Sequence, residues 1–256
     1  MKRFVMMLAL VLMATFTATA QEKKADAPKP DPKPAATMPT VDEILDKYVK
    51  ALGGKEAIEK VTSRVGKGTF ELPAFSLSGP IETYSKAPNK TAMTIDLTGF
   101  GKIESVFDGA KGWSADPQSG LRELGGAELA MTRRDADLHR SLMLKSQYTK
   151  LEVKGKEKVG DSEAYVIVGT LAEGKPEKMY FDVSSGLLTR MDVEVETPQG
   201  AMAFQIFLQD YKPVDGVKVP FTLRRESQAF GMVIKYTEVK HNVAVEDTKF
   251  NKPSGN

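Results

Sequence analysis

Cysteine is absent from the 256 residues, histidine occurs twice and tryptophan once, and neither charge prevails: 36 Lys and Arg stand against 34 Asp and Glu, a formal net charge of +2. Without thiols there can be no disulfide framework, thiolate zinc site, iron–sulfur cluster or cysteine nucleophile. Without a basic surplus the chain lacks what a nucleic-acid binder needs to displace counterions from phosphates, so no nucleic-acid partner is expected. A hydrophobic fraction of 41% fits a globular protein and is too low for several membrane spans.

Catalytic constellations are equally scarce. His139 and His241 have no partner at a metal-ligand spacing, and no G-x-S-x-G elbow, P-loop or dinucleotide glycine fingerprint occurs, so neither a metal nor another cofactor is expected. His139 falls in the charged stretch Arg133 to Arg140, which reads as a solvated helix face. Glu194 and Glu196 share the polar face of a strand, without the cleft and raised pKa values that paired carboxylates need for glycoside hydrolysis. The chain reads as a protein that is not an enzyme.

Lys2 and Arg3 precede an apolar run from Phe4 to Ala14, and Ala18-Thr19-Ala20 forms a small-residue cleavage site, so residues 1–20 read as a secretory signal peptide. A retained membrane anchor would need about twenty apolar residues. The expected product is soluble and works in the periplasm. Residues 21–39 hold five prolines among Lys, Asp and Ala, the composition of an extended spacer. From Thr40 onward 30 basic residues face 31 acidic ones. The folded domain is therefore expected over 40–253 and is close to neutral.

Thr40-Val41-Asp42-Glu43 is a capping box, and Val41, Ile44, Leu45, Tyr48 and Leu52 follow at helical spacing until Gly53-Gly54. A shorter helical segment covers Glu56 to Val61. Beyond Ser63 the period changes to two. Met93, Ile95 and Leu97 share one face, as do Met191, Val193 and Val195; Met202, Phe204 and Ile206; Val219, Phe221 and Leu223; and Met232, Ile234 and Tyr236. Turn signals separate the runs at Gly99-Phe100-Gly101, Asp108-Gly109, Gly160-Asp161, Ser185-Gly186, Gln199-Gly200, Asp215-Gly216 and Phe230-Gly231. Ten or eleven strands are expected, interrupted once by one or two helices between about Gly126 and Tyr148.

Ten strands at about 4.8 Å spacing, each about eight residues long, make a sheet roughly 48 by 27 Å. Three short helices of about 10 Å width cover about 30 Å of it. The fold class is thus mainly β with helices (α+β): a curved antiparallel sheet forming an incomplete barrel plugged by short helices. Such a barrel tends to leave an apolar cavity, the alternative being a filled core. The residues expected to line a cavity are Met93, Ile95, Trp113, Met191, Val193, Met202, Phe204, Ile206, Phe221 and Ile234. Trp113, after the turn at Asp108-Gly109, reads either as a core residue at the start of a strand or as an aromatic at the cavity mouth.

Ser85-Lys86-Ala87-Pro88-Asn89-Lys90 with its following strand, and Phe107-Asp108-Gly109-Ala110-Lys111-Gly112-Trp113 leading to Asp116-Pro117, resemble the outer-membrane lipoprotein-sorting (LolA-like) carriers. The segments 182–190 and 210–220 are similar to larger, divergent relatives, and the resemblance spans most of Thr40 to Pro253. It implies a half-barrel that holds acyl chains of a lipoprotein or another lipid without catalysis, as a monomer, with inner- and outer-membrane transport proteins as partners. The family's sorting members carry an Arg where this chain has Ala87, and that Arg holds a helical lid closed. Ala87 cannot, and Lys86 would point to the opposite face of the strand. A second reading is an envelope interaction or regulatory module of the same fold that contacts a membrane-bound protein.

Overall fold

The computed structural model describes residues 37–197 and 200–254, apart from the side chains of residues 196 and 197; the expected signal peptide and all but the last residues of the spacer lie outside the described residues. Helix α1 (Val41–Leu52) opens with the expected capping box. The Thr40 hydroxyl accepts from the Glu43 amide at 3.2 Å, and the Glu43 carboxylate accepts from the Thr40 amide at 2.7 Å. The Gly53 and Gly54 amides close the last turn on the Lys50 and Val49 carbonyls, and α2 (Lys55–Glu59) follows.

Thirteen strands then form one antiparallel sheet: β1 (Ser63–Leu72), β2 (Leu77–Lys86), β3 (Lys90–Leu97), β4 (Gly101–Phe107), β5 (Gly112–Asp116), β6 (Gly120–Glu123), β7 (Lys150–Val159), β8 (Ser162–Thr170), β9 (Glu177–Asp182), β10 (Leu188–Thr197), β11 (Gly200–Val214), β12 (Val217–Glu226) and β13 (Gly231–His241). That is more than the ten or eleven expected. The short β5 and β6, of five and four residues, are too brief to show an alternation. The expected turn glycines fall at the strand junctions.

The spatial order is β6-β5-β4-β3-β2-β1-β13-β12-β11-β10-β9-β8-β7. First and last strands pair in the middle of the sheet. The two rims, β6 and β7, do not pair with each other, so the curved sheet remains an incomplete barrel. The charged run Lys150, Lys154, Lys156 and Lys158 along β7 discourages further strand pairing at that rim.

Among the described residues, one connection travels from rim to rim. Between β6 and β7 the chain forms α3 (Gly126–Asp135), α4 (Arg140–Met143) and a 3₁₀ turn at Leu144–Gln147. It crosses the same face of the sheet that α1 covers, here called the inner face. Ile44, Leu45, Tyr48 and Leu52 of α1 are packed there against Met179, Phe181, Met191, Val193 and Phe204, and the Tyr48 and Phe181 rings meet edge to face at 5.3 Å. On the outer face, Ala92, Val106 and Trp113 are capped by Val245 and Phe250 of the C-terminal segment.

Candidate functional site

The two helical coverings of the inner face are built differently. α1 buries four side chains, whereas α3 buries none and has no side-chain N-cap. Polar ties hold α3 instead, and further ones join the stretch after it, whose Leu138, Leu142 and Leu144 do pack into the core. Arg134 Nη2 and the Tyr148 hydroxyl both donate to the Glu177 carboxylate, each at 2.5 Å. Glu177 is 4% exposed, and burial together with its charge pushes the Tyr148 hydroxyl up. Arg122 grips Glu128 through two bonds of 2.7 Å, His139 Nε2 donates to the Val61 carbonyl at 2.8 Å, and the Leu138 amide donates to the Pro88 carbonyl at 3.1 Å.

Beneath α3 lies a cleft of about 480 Å³, within the ~300–1,000 Å³ range of small-molecule sites. Its walls come from β1, β2, β3, β12 and β13 below and from Met131, Thr132 and Asp135 above. Met93, Val219, Leu223 and Val239 give it apolar surface; Arg64, Thr83, Tyr236 and Arg225 give it polar points. Gly66 makes room for the Tyr236 ring. A Cβ there would stand 2.8 Å from a ring carbon and 2.6 Å from Thr83 Oγ1.

Arg64 Nε donates to His241 Nε2 at 3.0 Å. Burial and then the Arg64 charge depress the His241 imidazole to about 4, so it stays neutral and can accept that bond. Burial also lowers Arg64 and Arg225 from their ordinary values. Arg225 lies over the Phe204 ring, 5.0 Å from its centroid.

The residues expected from the sequence to line one cavity are divided among four places. Met191, Val193, Met202, Phe204 and Ile206 belong to the cluster under α1, which is filled by Tyr48, Leu138, Leu142 and Leu144. Ile95 and Ile234 pack with Phe70, Ile81 and Leu97 toward the end of the inner face, where Met93 adjoins them and also borders the cleft. Phe221 is buried with Val219 and Val239. Trp113 is on the outer face: its cross-strand partner is Val106, whose partner is Ala92. It is a core residue at the start of its strand and does not reach the cleft. Ala87 sits in the β2–β3 turn with its amide on the Thr62 carbonyl, while Lys86 turns to Asp247 at 3.1 Å.

The polar lining was missed from sequence because a charged residue in a strand is read as facing water. The period itself held the signal: Arg225 continues the face of Leu223, and Arg64 shares the face of Gly66, Gly68 and Phe70.

Solved structures with the same arrangement of strands and helices are known. A DUF1329 family protein from Desulfovibrio piger matches with a TM-score of 0.57 at 15% identity, over 82% of this chain and 97% of its own. A LolA superfamily protein from Nitrosomonas europaea matches with a TM-score of 0.54 at 16% identity, over 84% and 99%. This is the LolA-like fold. A domain assigned to outer-membrane lipoprotein sorting, from Vibrio parahaemolyticus, shares the LolA-like fold at a TM-score of 0.52 and 10% identity, over 81% and 97%. No family profile and no curated protein matches the sequence. Within the LolA-like fold the crossing segment of this chain is tied down by Glu177 and by the Val61 and Pro88 carbonyls, bonds that do not use the side chain of Ala87.

Proposed function

We propose that the protein is a periplasmic carrier, without catalysis, that holds an acyl chain in the cleft beneath α3 and passes it between membranes. The observation that carries this reading is the lining of the cleft. On β13 the cleft is lined by Tyr236 and Val239, and Arg64 and Arg225 enter it from the strands on either side, with Met93, Val219 and Leu223 between them. An apolar middle flanked by separate cations suits a chain better than a compact solute. About ten buried methylenes gain roughly 8 kcal/mol, a micromolar affinity before the costs of association. The build of α3 supports a covering that can be opened, because it buries no side chain of its own and is attached through a few hydrogen bonds and ion pairs rather than a packed apolar face.

Native mass spectrometry after mild isolation from the periplasm, with lipid extraction of the same sample, tests the proposal. Bound acyl species are expected, together with uptake of a fluorescent fatty acid by the emptied protein. A clean apo mass with no uptake would refute the carrier and leave the interaction-module reading. Met131→Trp, which fills the cleft from its roof, is expected to reduce uptake at least tenfold without unfolding the protein, since Met131 is only partly buried.

A further inference from the structure

The cleft contains an imbalance of charge that an acyl chain alone does not answer. Its lining includes two arginines and one carboxylate, Asp135. Asp135 is already engaged by Arg140 Nη1 at 3.1 Å. Arg64 is hydrogen-bonded to His241. Arg225, half-buried, has neither a hydrogen bond nor an ion pair among the described residues; it lies over the Phe204 ring, and the charge nearest to answering it, Asp135, is held by Arg140. A guanidinium withdrawn from water is costly to hold without a counter-charge.

The two arginines cannot serve one small anion together. Along β13 their partners, His241 and Met232, are nine residues apart across one bulge, at most about 30 Å of strand. They enter the cleft from opposite sides of β13, and Arg225 is the one without a hydrogen-bonded or ion-paired partner among the described residues.

We infer that the ligand is a single-chain amphiphile with an anionic head, carboxylate or phosphate, that pairs with Arg225 while its chain lies along Leu223, Val219 and Met93. This rests on the carrier reading and adds the headgroup to it. The planar guanidinium presents paired N–H donors that match either oxyanion. The cation's contact with Phe204 holds it in place without neutralising it.

The test compares oleate, oleoyl lysophosphatidic acid, oleyl alcohol and inorganic phosphate by calorimetric titration of the delipidated protein at neutral pH. Oleate or the lysophosphatidate is expected to bind at least tenfold tighter than oleyl alcohol, and the stronger of the two identifies the head as carboxylate or phosphate. Arg225→Gln is expected to bring the anionic lipid down to the affinity of the alcohol, Arg225→Lys to keep most of the preference, and Arg64→Gln to leave the preference unchanged. Equal binding of oleate, lysophosphatidate and alcohol overturns the headgroup while leaving the carrier intact. Loss of the preference in Arg64→Gln but not in Arg225→Gln overturns the assignment. Phosphate binding without lipid binding, or no binding of any probe, overturns both readings. The wild-type comparison stands whether or not a variant folds.

Discussion

Removing the Glu177 carboxylate tests whether polar ties, rather than apolar packing, hold α3 to the sheet. In Glu177→Ala, Arg134 loses its partner at 2.5 Å and Tyr148 loses its acceptor. Breaking a buried ion pair from one side costs about 3–5 kcal/mol, because the remaining charge is left unpaired. The Arg134 side chain is 15% exposed and Asp135 lies 3.7 Å from its Nε, so part of that cost is recovered and about 2–4 kcal/mol remains. For a domain of this size that lowers the melting temperature by very roughly 4–16 °C. Thermal and urea unfolding followed by circular dichroism measure the loss, and hydrogen exchange locates it: the α3 amides should exchange faster while those of β1 to β4 are unchanged. Adding Arg134→Met should restore part of the stability by removing the stranded cation. A loss below about 0.5 kcal/mol, or a double variant no more stable than Glu177→Ala, would refute the reasoning.

Two further outcomes follow from the inner face. His241 is neutral in the fold with its imidazole held at about 4, against an ordinary value near 6.5 in the unfolded chain. The unfolded state therefore takes up the proton first, and stability falls as pH drops from about 6.5 toward 4, by on the order of 1–3 kcal/mol; urea midpoints across that interval should slope in the wild type and flatten in His241→Gln, and equal slopes would show that His241 is not the group responsible. Gly66→Ala pushes a methyl against Tyr236 and Thr83 and should cost about 1–3 kcal/mol, read as a lower urea midpoint, whereas an unchanged midpoint would mean that the ring moves aside freely.

Much of the architecture is legible where a local rule acts alone. The Thr40 to Glu43 capping box and the paired glycines at 53 and 54 define α1 because their groups satisfy the helix ends within a few residues. The site is less legible because it depends on register. Trp113 and Ala115 alternate with Ser114, a pattern that fits either face, and only the pairing of Trp113 with Val106 places them outside. Phe204 and Met191 do face inward as their periodicity indicates, but what fills the space before them is α1 and the turn at Leu144, brought there by tertiary packing. Arg225 looks like an ordinary surface cation until the period of β12 is extended through it.

The rim-to-rim course of residues 124–149 has a mechanical consequence. A flap hinged at one end swings clear; a segment fastened to β6 at one end and β7 at the other is the string of a bow, and the sheet is its limb. Filling the space under the string pushes it outward and bends the limb, so the distance between rims becomes a gauge of what the trough contains. A surface that touches both rims could read that gauge without entering the cleft.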